Sequence, residues 1–141
     1  GRSSATGRAA WATALTLTTD RALDPCASQG AMRFYGRIGI DADYNGLALD
    51  WAEGERIAHA MQGKDVGFLG NHGVIVCVAS IAHAYDDLYY LERACQAQVL
   101  AQSTGRPLAP VAADLAARVC AQTLGERLQS ELSFEALRRR L

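Results

Sequence analysis

The chain has 141 residues, a formal net charge of −1 and 50% hydrophobic residues. That length and apolar content suit one globular domain with a real core and leave too little chain for two. The near-neutral balance excludes the basic excess of a nucleic-acid footprint, and no apolar run nears the roughly 20 residues that a membrane-spanning helix needs.

Residues Gly1–Ala10 are almost entirely Gly, Arg, Ser, Ala and Thr. They show neither hydrophobic periodicity nor the apolar stretch of a signal peptide, and read as a tail. Trp11–Thr18 reads as a short helix, and Asp24-Pro25 and Gln29-Gly30 are turn signals. Met32–Ile40 holds Phe34, Tyr35, Ile38 and Ile40, which predicts a strand broken at Gly36. A polar loop, Asp41–Gly46, precedes a helix capped by Asp50 with Glu53 three residues on. Its apolar face is Ala52, Ile57, Ala58 and Met61, and Gly63 stops it.

Two short apolar runs follow, Val66–Leu69 and Val74–Cys77, joined by Gly70-Asn71-His72-Gly73. They predict buried strands around a tight turn. Ser80 then caps a long helix with Ile81, Ala84, Leu88, Leu91, Cys95 and Val99 on one face, running to about Ser103 and closed by Gly105. Val111–Thr123 predicts a shorter helix, and Ser133 a cap for a last one through Arg140. The Arg138-Arg139-Arg140 cluster suits a solvated helix C-terminus. Helices flanking a few buried strands make an α/β layered architecture.

The four cysteines, Cys26, Cys77, Cys95 and Cys120, form no Cys-x-x-Cys pair. The last three sit among apolar neighbours and read as buried free thiols, which implies a reducing, intracellular compartment. His72, held in a strand-to-strand turn, is the first candidate for metal or substrate binding. His59 and His83 lie on helices and read as surface or packing residues. The three histidines do not have the ligand spacing of a zinc site. Tyr44 is the second candidate, a loop phenol able to act as general acid if a cation lowers its pKa. Dinucleotide and phosphate-loop glycine motifs, nucleophile elbows and His-Glu-x-x-His are all absent.

The order Arg33-Phe34-Tyr35-Gly36-Arg37-Ile38, then Tyr44, Glu53-Gly54-Glu55-Arg56-Ile57-Ala58, Asn71-His72-Gly73 and Asp86-Asp87-Leu88-Tyr89-Tyr90-Leu91-Glu92-Arg93-Ala94-Cys95 resembles the class II aldolase/adducin family over about residues 11–105. The resemblance implies a three-layer α/β/α fold around a mainly antiparallel sheet, assembled as a cytoplasmic homotetramer. Residues 11–141 would then be a partial domain whose N-terminal part is missing. It also implies zinc held by three histidines, two as His-x-His and the third matching His72. Tyr44 lies where a tyrosine donated across a subunit interface acts as general acid. The implied chemistry is metal-assisted carbon–carbon cleavage of a small sugar-phosphate or related carbonyl substrate. The His-x-His positions would fall near Thr6 and Arg8, which are not histidines. Two readings stay open: a lyase incomplete in this chain, or a non-catalytic adducin-like oligomerisation and binding module.

Overall fold

The computed structural model describes residues 1–7, 9–47 and 49–140. Its sheet is organised around one hairpin. Strands β3 (Val66–Leu69) and β4 (Gly73–Val78) pair antiparallel, with Val66 opposite Val76 and Leu69 opposite Gly73. Strand β2 (Ile38–Asp41) runs parallel to β3, placing Asp41 beside Leu69. On the other side, β1 (Ser3–Gly7) pairs antiparallel with β4, from Ser3 opposite Val78 to Gly7 opposite Val74. The order is β1-β4-β3-β2, so two of the three pairings are antiparallel and the sheet is mixed.

Helix α1 (Ala10–Thr16) and the 22-residue α4 (Ile81–Gln102) pack on the face carrying Val66, Phe68, Val74, Val76 and Val78. Ala12, Leu15, Phe34, Leu91 and Cys95 complete that core. On the opposite face, Met61, at the end of α3 (Trp51–Ala60), covers Gly67 so closely that a Cβ there would meet its sulfur at 2.0 Å. The short α2 (Gln29–Met32) lies against α4 and α5 (Ala113–Gly125), and α6 (Arg127–Arg138) lies along α4. Among the described residues, no helix is long and apolar enough to cross a membrane.

Several expectations change. The segment read as a tail contains β1, because pairing with an open strand edge needs backbone groups rather than apolar side chains. Met32–Ile40 is not one broken strand. Ser28 caps α2 by accepting from the Ala31 N–H at 3.1 Å, successive turns bury Phe34, and Gly36 at φ +73° redirects the chain into β2. The last helix begins at Arg127, not at Ser133, because the Arg127 guanidinium anchors its first turn to buried Asp87 at 2.8 and 3.0 Å. The predicted face of α3 is only half realised: Ile57 and Met61 are half-buried, whereas Ala52 and Ala58 are exposed. Cys95 and Cys120 are buried free thiols as expected, while Cys77 is half-buried.

Candidate functional site

The sheet register gathers the candidate residues at one edge. Because β2 and β3 are parallel, their C-terminal ends share that edge, and β1 ends there beside the start of β4. His72 lies in the β3–β4 turn, its imidazole exposed and its N–H donating to the Leu69 carbonyl at 3.0 Å. Asn71 takes up the left-handed conformation of the turn at φ +60°, which asparagine tolerates better than most residues.

The loop after β2 packs against this turn backbone to backbone. The Gly70 N–H donates to the Asp41 carbonyl at 2.7 Å, and a Cβ on Gly70 would lie 2.9 Å from the Ala42 carbonyl oxygen. Tyr44 follows in that loop and is 53% exposed. Arg56 of α3 fixes the loop by donating to Asp41 at 2.8 Å and to the Asp43 carbonyl at 3.3 Å, while holding Glu53 at 2.6 Å. The Arg56 hydrogen bond holds the Asp41 carboxyl below the ordinary carboxylate range, against the opposing effect of partial burial. Tyr44 and His72 thus sit on adjoining loops, with no hydrogen bond between them among the described residues.

Helix α1, whose start follows β1 at this edge, has no capping side chain of its own. Glu92, reaching from α4, accepts from the Trp11 and Ala12 N–H groups at 2.8 and 2.9 Å and supplies the missing cap. Sequence reasoning missed this role, as it missed Arg21, whose Nη1 donates to the Asn71 side-chain oxygen at 2.7 Å. An asparagine two residues before a glycine signals a left-handed turn, but nothing local in the sequence marks its partner.

The other histidines stand elsewhere. His59 is exposed on α3. His83 lies at the opposite end of the sheet, by an open cavity of 460 Å³ lined by Arg2, Asp65, Val78 and Arg127. Among the described residues, no three His, Cys, Asp or Glu side chains converge to hold a metal ion. Thr6 pairs opposite Ile75 in the sheet, and Arg8 lies outside the described residues. The described donors therefore do not fit a zinc centre, and His72 alone supplies an imidazole at this edge.

The arrangement has clear relatives. Residues 8–99 match the family described as the class II aldolase and adducin N-terminal domain. A Caulobacter vibrioides protein, provisionally named an aldolase class 2 protein, is 43% identical over 74 residues, 50% of this chain and 29% of that one. An aldolase II superfamily protein from Pseudomonas syringae superposes with a TM-score of 0.81 at 32% identity, over 99% of this chain and 55% of that one. The L-fuculose 1-phosphate aldolase of Glaciozyma antarctica gives 0.64 at 25% identity, over 79% and 40%. The chain thus spans well under two thirds of these relatives. With the family match covering most of its length and the His72 turn inside the matched region, the chain belongs to the class II aldolase/adducin family.

Proposed function

We propose that this chain carries part of the active centre of an aldolase-type lyase, one that cleaves a carbon–carbon bond in a small sugar-phosphate or related carbonyl substrate. The observation that carries the reading is the packing of the Tyr44 loop against the His72 turn at the edge where β1 ends. Cleavage beside a carbonyl leaves an enediolate that must be held and then protonated. Tyr44, in an exposed loop held by Arg56, is suited to deliver that proton, and in an oligomer could deliver it to a neighbouring copy's His72 turn. His72 offers an imidazole for orienting the substrate or ligating a metal, if the remaining donors are supplied from outside the described residues.

A gain-of-function experiment tests the reading. The resemblance puts the two absent imidazoles at positions 6 and 8, so Zn²⁺ binding, read by isothermal titration, should appear in the Thr6→His/Arg8→His double variant. Adding His72→Ala should remove it. Binding that ignores His72, or no binding at all, would sink the assignment of this edge. The second reading, an adducin-like binding module without catalysis, is favoured by the lack of a converging three-donor cluster among the described residues. It predicts that His72→Ala alters only stability, by about 0.5–3 kcal/mol.

A further inference from the structure

We propose that Arg21 is a positioning residue for the His72 turn, acting through Asn71. The proposal rests on the assignment of that turn to the reactive edge. Arg21 and Asn71 are the two non-glycine residues with positive φ among the described residues, at +64° and +60°. They lie fifty positions apart in the chain and yet touch.

Arg21 Nη1 donates to Asn71 Oδ1 at 2.7 Å and to the Thr16 carbonyl at 2.9 Å. The same Thr16 carbonyl accepts from the Asn71 N–H at 3.2 Å. Thr16 is fully buried at the end of α1, so this three-way junction ties the turn to a rigid point of the core. Left-handed backbone is unfavourable for a side chain that is not glycine and persists where the surroundings over-determine it. Arginine has no short polar side chain, of the kind that lets asparagine bond its own backbone in that conformation. Its guanidinium, however, forms a charge-assisted bond to the residue immediately before His72. The torsions of Asn71 set where the His72 imidazole points, because Gly73 behind it, at φ +153°, imposes little restraint of its own.

Amide hydrogen exchange on the full chain tests this, read at Asn71 and His72 with Phe68 and Val76 as references inside the sheet. Arg21→Ala should speed exchange at the turn by about tenfold or more, the scale of losing a hydrogen bond to a charged group, and leave the references unchanged. Arg21→Lys, which keeps a cation within reach of both oxygens, should recover part of the protection. Asn71→Gly relieves the torsional cost but removes the acceptor, and should expose the turn as much as Arg21→Ala does. Wild-type protection in Arg21→Ala, or in Asn71→Gly, would overturn the proposal. If Arg21→Ala does not fold, the other two variants decide. In the Thr6→His/Arg8→His protein, Arg21→Ala should also weaken Zn²⁺ binding by about tenfold with the references still protected. If that double variant binds no Zn²⁺, the lyase reading fails, while the exchange data still decide the role of Arg21.

Discussion

Asp87 shows how much one side chain can hold in this molecule. It is fully buried and accepts from Arg33 at 2.9 Å, from Arg37 at 2.6 Å and from both nitrogens of the Arg127 fork. Asp86 beside it pairs with Arg33 and Ser130. Burial alone would raise the Asp87 pKa, but the Arg127 hydrogen bonds and the Arg37 charge outweigh it and hold the carboxyl below its ordinary value. Removing it strands Arg127 and takes from Arg33 and Arg37 one of the two carboxylates that each holds, so Asp87→Ala should cost about 3–5 kcal/mol in urea unfolding. Because the folded pKa is depressed, the stabilisation is present above the unfolded value near about pH 4 and fades as pH falls through the folded one. Asp87→Asn should flatten that acid limb of the stability curve. A second prediction concerns thiols. Burial, with Glu92 nearby, pushes the Cys95 thiol far up. In native protein Cys95 should resist a thiol-labelling reagent that modifies half-buried Cys77, and should react on unfolding. Equal labelling rates would contradict the packing described.

At the scale of elements, the contact between Gly70 and Ala42 aligns the two candidate loops. Gly70→Ala places a methyl 2.9 Å from a backbone oxygen that cannot rotate away. It should destabilise the fold by about 1–3 kcal/mol and shift the amide resonances of Asp43 and Tyr44. Unchanged resonances there would show that the loops are not coupled. Much of this level was legible in the sequence wherever the signal was local. Asp50 and Ser80 cap their helices, accepting from the Glu53 and His83 N–H groups at 2.8 and 3.2 Å, and the two apolar runs form the hairpin. The failures share a cause. Strand β1 depends on β4, more than sixty residues away, and the start of α6 depends on Asp87. The turns that bury Phe34 look like a strand by composition alone. Likewise His72 and Tyr44 could be picked out singly, but that their loops adjoin follows from the parallel register of β2 and β3, which no short motif encodes.

The whole molecule exposes apolar surface around the candidate edge. Tyr44, Leu47, Leu49 and Trp51 are 53%, 73%, 84% and 82% exposed along one segment, and β1 and β2 are the outer strands of the sheet among the described residues. Self-association is therefore expected, and sedimentation velocity should show species larger than a monomer that Leu49→Ser/Trp51→Ser reduces. A monomer at all concentrations would remove the route by which Tyr44 could serve a neighbouring copy. The pairing of β1 with β4 also has a consequence in time. The β3–β4 hairpin closes over a three-residue turn, whereas docking β1 joins Ser3 to Val78 and must close nearly the whole intervening chain. Loop-closure entropy puts such contacts late in folding. The hairpin that presents His72 thus serves as the template, and β1, which borders the candidate site without supplying its side chains, arrives last.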